Sequence, residues 1–216
     1  MEQLHQGISF SPDFQVLVDE VNLASEDYDN EISEYDRKWE EEQKQKRYIE
    51  SGVGRRYWDK RLEDFVTSTE EQKTQLAKVT KFIADVNNHH SRTMWMCGNA
   101  GTGKTLLASL IIRECGGKFV KSYEIQNELE DRRSFKATES KKQLIQRYAD
   151  YRVLVIDEIA KIDSKAEIEY LFMILNERYE RMKSTILITN KSAKELMEYI
   201  GKPLYDRFVE NCTSLT

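Results

Sequence analysis

The stretch "GNAGTGKT", Gly98 to Thr105, is the strongest indication of the fold of this chain. It matches the pattern G-x-x-x-x-G-K-[ST], follows the apolar run "TMWMC" at 93–97 and opens the apolar segment "KTLLASLIIREC" at 104–115. A glycine-rich turn between a strand and a helix lets backbone N–H groups surround phosphate oxygens, and the helix dipole adds to the attraction. A turn with a purely structural role would not require the Lys104-Thr105 pair.

The pattern therefore predicts a site for ATP and Mg²⁺. Lys104 would reach the β- and γ-phosphates, and the Thr105 hydroxyl would be a ligand of Mg²⁺. The residues expected to bind the nucleotide are the motif and the residue after it: Gly98, Asn99, Ala100, Gly101, Thr102, Gly103, Lys104, Thr105 and Leu106.

Polar residues at the ends of two later apolar runs complete the predicted site. Asp157 is the last residue of the apolar run "VLVID", and Glu158 follows it directly. Asn190 directly follows the run "STILIT". Ligands of open α/β sheets bind at the carboxyl ends of the strands, so Asp157 is expected to hold Mg²⁺ and Glu158 to polarise the attacking water. Asn190 would orient that water, although an asparagine in this place can also simply start a turn.

Short apolar runs alternate with helical segments over most of the chain. Strands are predicted at 93–97, 118–122, 152–157 and 184–189, and "NCTSLT" at 211–216 predicts the start of a fifth, edge strand. Such near-continuous apolar runs favour a parallel sheet covered by helices on both faces. Between residues 67 and 86, a capping-box spacing of Ser68 and Glu71 predicts the start of an amphipathic helix.

Charge divides the 216 residues into two parts. Residues 1–50 carry a net charge of −9, and residues 51–216 carry +4. We therefore predict an acidic N-terminal arm over 1–50, helical or partly disordered, that docks on a partner, and a globular domain over 51–216. The apolar runs are shorter than the roughly 18 residues that span a bilayer, and the first residues do not resemble a signal peptide, which together favour a cytoplasmic protein without membrane contact. Cys97, Cys115 and Cys212 are too widely spaced to indicate a disulfide framework or a zinc site.

The order of P-loop, Asp-Glu pair, strand-end Asn and late Arg resembles the AAA+ ATPases. Within them the chain resembles the bacterial and phage helicase loaders of the DnaC type and their IstB-like relatives. The resemblance runs from "GVGRRYWDKRLEDF" at 52–65 to Arg207, with "LVIDEI" and "ITNKSAKELMEYIGKPLYDR" as its closest stretches. It implies an α/β P-loop fold of AAA+ type with a five-stranded parallel sheet in the order 5-1-4-3-2, and no full C-terminal lid. In this segment Tyr57 and Trp58 either pack near the adenine or serve domain packing.

The same resemblance implies that Arg207 is a catalytic arginine finger, which completes the ATP site of a neighbouring subunit. A planar and permanently charged guanidinium suits the stabilisation of a phosphoryl group in transfer. From spacing alone, a surface ion pair with Asp206 or Glu210 is an equally good interpretation.

Resemblance to the loaders also implies DNA contacts in two loops. Positive charge combined with an aromatic ring can bind the backbone and stack on a base. The alternative is a solvated basic loop whose aromatic residue, Phe135, belongs to the core. The candidate DNA-binding residues are Arg132, Arg133, Phe135, Lys136, Lys161, Ser164 and Lys165.

Three functions are compatible with these features. The first is an ATPase that binds a hexameric replicative helicase, loads it onto single-stranded DNA and hydrolyses ATP at the interface between its own copies. The second is an IstB-like transposition helper that acts on duplex DNA, although the acidic arm argues against it. The third is an ATP-gated binding module with negligible hydrolysis, against which Glu158 argues.

Overall fold

The computed structural model of the chain describes residues 35–65, 67–132, 139–161, 165–210 and 212–215. Contacts divide the chain into two compact units, Met1–Gln45 and Lys46–Thr216. In the first unit, residues 35–45 are helical. The second unit contains the sheet, and its core begins as early as Tyr48, which is buried. The prediction of an acidic docking arm over 1–50 falls largely outside the described residues.

Helices and strands of the second unit alternate as the apolar runs predict. The described strands are β1 (Thr93–Met96), β2 (Lys118–Lys121), β3 (Val153–Asp157), β4 (Ser184–Ile188) and β5 (Cys212–Leu215). Helix α1 covers residues 35–50, of which 46–50 belong to this unit. The other described helices are α2 (Glu70–Asn87), α3 (Lys104–Cys115), α4 (Ser122–Asp131), α5 (Lys141–Asp150), α6 (Lys165–Glu180), α7 (Ala193–Ile200) and α8 (Lys202–Val209). Two 3₁₀ turns, Arg55–Tyr57 and Leu62–Asp64, precede α2.

All five strands form one parallel sheet in the order β2-β3-β4-β1-β5. This confirms the predicted order 5-1-4-3-2 and the edge position of the fifth strand. Strand β1 lies between β4 and β5, with Thr93 opposite both Thr185 and Cys212. The carboxyl ends of β1, β3 and β4 therefore lie side by side at one end of the sheet. The predicted site residues lie directly at these strand ends.

Side chains alternate between the two faces of the sheet and fill two cores. On one face, Met94, Val155 and Ile186 pack with α2 and α3. On the other, Trp95, Leu154 and Leu187 pack with the helices from α4 to α8. Because both faces are covered, the strands read as continuous apolar runs in the sequence.

The start of α2 differs by one residue from the prediction. Its N-cap is Thr69, whose hydroxyl accepts the amide of Gln72 at 3.2 Å, while the Gln72 side chain accepts the amides of Ser68 and Thr69. The predicted pair of Ser68 and Glu71 is therefore wrong. The observed pair, Thr69 and Gln72, and the predicted pair, Ser68 and Glu71, have the same spacing and the same capping chemistry. The sequence therefore did not show which of the two pairs forms the cap.

All three cysteines are free thiols. Burial raises the pKa of Cys97 to about 12, so this thiol next to the glycine-rich turn stays protonated at neutral pH. This is the behaviour of a small apolar core residue.

Within the described ranges, no helix combines the length and the apolar character needed to cross a membrane.

Candidate nucleotide-binding site

The glycine-rich turn between β1 and α3 adopts backbone angles that only glycine tolerates without strain. Gly98, Gly101 and Gly103 have φ values of +118°, +86° and +87°. Helix α3 begins immediately afterwards at Lys104. The Lys104 ammonium donates to the carbonyls of Gly98 and Asn99, each at 2.7 Å, and burial lowers its pKa. The turn is thus a compact loop between β1 and the amino end of α3, with the Lys104 ammonium held against it. Loops of this kind bind phosphate groups.

Asp157 and Thr105 lie in direct contact beside this loop. The Asp157 side chain is buried, and its Oδ2 accepts the Thr105 hydroxyl at 3.1 Å while its Oδ1 accepts the amide of Glu158 at 2.7 Å. Burial raises the pKa of Asp157, although both hydrogen bonds oppose the shift. A buried carboxylate next to a hydroxyl offers the hard oxygen ligands that Mg²⁺ prefers.

The donor set fits a magnesium ion that is shared with phosphates. Among the described residues no group of three or more His, Cys, Asp or Glu side chains could hold a metal ion. Mg²⁺ at nucleotide sites is normally bound through one or two protein oxygens, with phosphate oxygens and water completing the octahedron. Thr105 and Asp157 supply that number of protein ligands.

Glu158 is more exposed than Asp157 and is held by lysines. It adopts a left-handed conformation with φ of +61°. Its carboxylate lies 3.2 Å from the ammonium of Lys161 and 4.0 Å from that of Lys121 at the end of β2. The negative charge of Glu158 therefore stays close to the cavity, available to a water molecule there.

Hydrogen bonds tie the three strand ends together. The Thr189 amide donates to the Met96 carbonyl at 3.1 Å, and its hydroxyl donates to the Ile159 carbonyl at 2.9 Å. The Ile159 amide in turn donates to the Ile188 carbonyl at 3.1 Å. Asn190, next to Thr189, is thereby set beside the glycine-rich turn and the acidic pair.

These groups line one cavity of about 510 Å³. Of the predicted site residues, it includes those from Ala100 to Leu106 together with Asp157, Glu158 and Asn190. Gly98 and Asn99 form the base of the turn through the Lys104 contacts. A volume of this size lies within the range of ordinary ligand sites.

Sequence reasoning missed several basic residues in the same cavity. Arg56, Lys60 and Lys191 line it beside Tyr57. The signal for the first two was the basic character of "RRYWDK" at 55–60, upstream of α2. Trp58 has a different role, since its indole donates to the Val53 carbonyl at 3.0 Å and its ring packs on the core beneath α2 and α3.

The predicted DNA contacts are only partly described. Arg133, Phe135, Lys136 and Ser164 lie outside the described residues. Arg132 caps α4 and donates to Glu139 at 3.2 Å. Lys165 is an exposed residue at the start of α6. Lys161 lines the nucleotide cavity and forms an ion pair with Glu158.

Arg207 lies away from this cavity, towards the amino ends of the strands. It is exposed on α8, donates to the Asn176 side chain and lies 6.0 Å from the Tyr179 ring centroid. The adjoining Phe208 carbonyl accepts the hydroxyl of Thr93 at 2.7 Å, at the amino end of β1. Because the glycine-rich turn follows the carboxyl end of the same strand, Arg207 and the nucleotide cavity of one chain lie at opposite ends of β1, and Arg207 does not line that cavity.

The sheet order, the glycine-rich turn between β1 and α3, and the acidic pair at the end of β3 define a P-loop protein of the AAA+ type. The family described as IstB-like ATP binding protein matches residues 3–215. The chain belongs to this ATP-binding family.

Known proteins similar to this chain act in DNA replication. The chain is 25% identical to the replicative helicase loader DnaC of Escherichia coli K12 over 169 residues, which is 76% of this chain and 68% of that protein. The crystal structure of the DnaC helicase loader superposes with a TM-score of 0.66 at 21% identity, covering 75% of this chain and 98% of that one. The replication initiator DnaA bound to AMPPCP and single-stranded DNA gives 0.61 at 18% identity, covering 76% and 51%.

Proposed function

We propose that this protein is an ATP-dependent accessory factor of DNA replication, which binds a hexameric replicative helicase and helps to load it onto single-stranded DNA. The observation that carries the proposal is the similarity to the helicase loader DnaC, which extends over three-quarters of the chain in sequence and in fold. Its place of action would be the cytoplasm of a bacterium or of a phage-infected cell.

The proposed reaction at the cavity is hydrolysis of ATP. Lys104 and the amides of the glycine-rich turn would hold the phosphates, while Thr105 and Asp157 would hold Mg²⁺. The bound Mg²⁺ would supply neutralisation of charge on the phosphate oxygens. Glu158 would accept a proton from the attacking water, and Asn190 would orient that water by hydrogen bonding.

Arg207 would act on a neighbouring copy of the chain. Its exposed position towards the amino ends of the strands supports this assignment, because the group is accessible to a second subunit and remote from its own site. A guanidinium delivered in this way stabilises the charge that spreads over the transferred phosphoryl group. The contacts with Asn176 and Tyr179 would hold the side chain in place between encounters.

Single-stranded DNA would bind along the two basic loops that flank the described residues Arg132 and Lys161. Backbone phosphates attract such residues irrespective of sequence, and the binding weakens as salt rises. The ion pair of Lys161 with Glu158 would place this strand close to the catalytic carboxylate.

A transposition helper that acts on duplex DNA is the second candidate, favoured by the IstB-like description of the family. The net charge of −9 over residues 1–50 disfavours it, because an acidic arm would be repelled by DNA and suits a protein partner instead.

Capture of partners by the tagged full-length chain distinguishes the two candidates. From extract of the source cell, we expect a hexameric helicase to be retained and identified by mass spectrometry. The purified helicase should then be transferred to circular single-stranded DNA only when ATP and this protein are both present. Lys104→Ala is the control, because it should still capture the helicase but fail to load it. Retention of a transposase without any helicase would overturn the proposal.

A further inference from the structure

A buried carboxylate outside the nucleotide cavity joins the turn that follows Glu158 to the start of α4 and to α7. Glu167 lies in the first turn of α6 and is only 5% exposed. Its Oε2 accepts the backbone amide of Ala160 at 3.0 Å, and its carboxylate also accepts the hydroxyls of Ser122 and Tyr199. Burial of a carboxylate is costly unless hydrogen bonds compensate, and these three donors supply the compensation.

Two of the three donors, Ser122 and Ala160, lie within two residues of Lys121 and Glu158, respectively. Ser122 follows Lys121, whose ammonium approaches Glu158. Ala160 lies two residues after Glu158 itself. Tyr199 belongs to α7, the helix that begins three residues after Asn190.

A second set of contacts makes this junction rigid. The Tyr170 hydroxyl, also from α6, donates to the Ser122 carbonyl at 2.7 Å and lies 2.5 Å from the Ser122 hydroxyl. Thr189 holds Ile159, between Glu158 and Ala160, from the side of β4. The turn after β3 is therefore fixed from both sides.

That turn needs to be held, because its conformation is strained. Glu158 and Ala160 have φ values of +61° and +56°, in the left-handed region that residues with a side chain rarely adopt. Such conformations persist only where surrounding contacts enforce them, and they concentrate at functional sites. The amide that donates a hydrogen bond to Glu167 is therefore that of Ala160, one of these two strained residues.

We propose that Glu167 is a positioning residue for ATP hydrolysis. By accepting the Ala160 amide it holds the left-handed turn that keeps Glu158 at the cavity, and by accepting the Ser122 hydroxyl it fixes the start of α4 directly after Lys121. The proposal rests on the proposed hydrolysis of ATP at Glu158. A purely structural role explains the burial less well, since an apolar residue would pack α6 without the cost of desolvating a charge.

The test compares Glu167→Ala, Glu167→Gln and the wild type by ATP turnover, affinity for a fluorescent ATP analogue and amide hydrogen exchange at Ala160. We expect Glu167→Ala to lower kcat on the order of 10²-fold, the cost of a displacement of about 1 Å at a catalytic group. The affinity for the analogue should stay within about threefold, because the P-loop is untouched. Exchange at Ala160 should become faster.

Glu167→Gln provides the conservative comparison. Its amide oxygen can still accept from Ala160, but a neutral acceptor makes a weaker bond than a carboxylate. We expect kcat to recover to within about tenfold of wild type, with exchange at Ala160 between the other two proteins. Glu169→Gln is the control, because it removes an exposed carboxylate of the same helix and leaves the contact between Glu167 and Ala160 in place; its kcat should match wild type.

Wild-type kcat in folded Glu167→Ala would overturn the proposal, as would a parallel fall of kcat, analogue affinity and thermal stability. If Glu167→Ala does not fold, Glu167→Gln decides alone: wild-type kcat combined with wild-type exchange at Ala160 would overturn it. A failure of the underlying hydrolysis assignment is recognised separately, because Glu158→Gln would then retain turnover, whereas exchange at Ala160 reports the turn itself.

Discussion

At the scale of residues, the neighbouring carboxylates of Asp157 and Glu158 at the end of β3 lie in different environments and suit different chemical roles. Asp157 is buried against Thr105, whereas Glu158 is partly exposed and faces two lysines. Such a separation of environments is how adjacent acids acquire distinct roles. Asp157 suits a cation, and Glu158 suits a water molecule.

Replacement of Glu158 tests its role as the group that accepts the proton. Glu158→Gln keeps the size of the side chain but removes its basicity, so ATP should bind with an affinity within about threefold of wild type while turnover falls by at least about 10²-fold. Fluorescent-analogue binding and phosphate release measure the two properties. Glu169→Gln, on an exposed part of α6, is the matched control and should leave both unchanged. Normal turnover in Glu158→Gln would show that another group activates the water.

The raised pKa of Asp157 has a consequence for stability. A carboxyl group whose pKa is higher in the folded than in the unfolded chain binds its proton more tightly when folded, so its contribution to the free energy of unfolding falls as pH rises above the ordinary value near 3.8. At pH 7 without nucleotide, Asp157→Asn should therefore raise Tm by a few degrees, and the gain should shrink towards pH 4.

Calorimetry with and without Mg-ATP checks this prediction. Mg-ATP should stabilise the wild type more than Asp157→Asn, because only the carboxylate supplies a charged ligand. Asp59→Asn, on an exposed turn, should show neither effect. A lower Tm for Asp157→Asn at pH 7 would mean that the hydrogen bonds from Thr105 and Glu158 outweigh the cost of burial.

At the scale of elements, helix boundaries follow from local capping chemistry. Helices α2, α5 and α7 each begin with a hydroxyl residue that accepts the amide three residues later, namely Thr69, Ser140 and Ser192. Gly201, with φ of +82°, ends α7, and Pro203 occupies the first turn of α8. The break that separates α7 from the helix of Arg207 is thus encoded by Gly201 and Pro203.

The observed cap of α2 gives a direct prediction. Thr69→Ala should lower the free energy of unfolding by about 1 kcal/mol, because the Gln72 amide loses its acceptor. Ser68→Ala should change it by less than about 0.5 kcal/mol, since the contact of Ser68 with Gln72 uses its backbone amide. Urea unfolding of both variants measures the difference. A larger loss for Ser68→Ala would place the cap at Ser68 in solution, and equal losses would contradict a cap formed by Thr69 alone.

At the scale of the whole molecule, the polarity of the parallel sheet separates the two halves of the proposed reaction. All strands point the same way, so the nucleotide cavity lies at their carboxyl ends, and α8 packs at the amino end of β1. One chain therefore carries the nucleotide cavity at the carboxyl ends of the strands and Arg207 near their amino ends. This arrangement suits a head-to-tail assembly in which each copy completes the site of the next.

Mixing two inactive variants tests that arrangement. Arg207→Ala should lower turnover by about 10³-fold or more, the usual contribution of an arginine finger. Lys104→Ala should be inactive through loss of phosphate binding, yet it retains Arg207. An equimolar mixture should recover turnover well above either variant, and turnover per chain of the wild type should rise with protein concentration. No recovery together with concentration-independent turnover would contradict action between subunits.

From the sequence we predicted the strands of this protein and most of the residues that line its nucleotide cavity. The glycine-rich turn, the strand-end acids and the apolar runs are local signals, since φ preferences, capping and side-chain alternation depend on a few neighbouring residues. The strand order came from resemblance to a family, and the structure confirms it. The Ser68 cap was wrong because two adjacent residues offered the same chemistry.

Which distant residues meet depends on the tertiary structure. Arg56 and Lys60 reach the cavity because the segment before α2 lies beside it, and Glu167 meets Ser122, Ala160 and Tyr199 because three crossovers converge beneath the turn after β3. In the sequence Glu167 is one acid among 38 acidic residues. Its burial and its partners depend on long-range packing, and no local pattern encodes them.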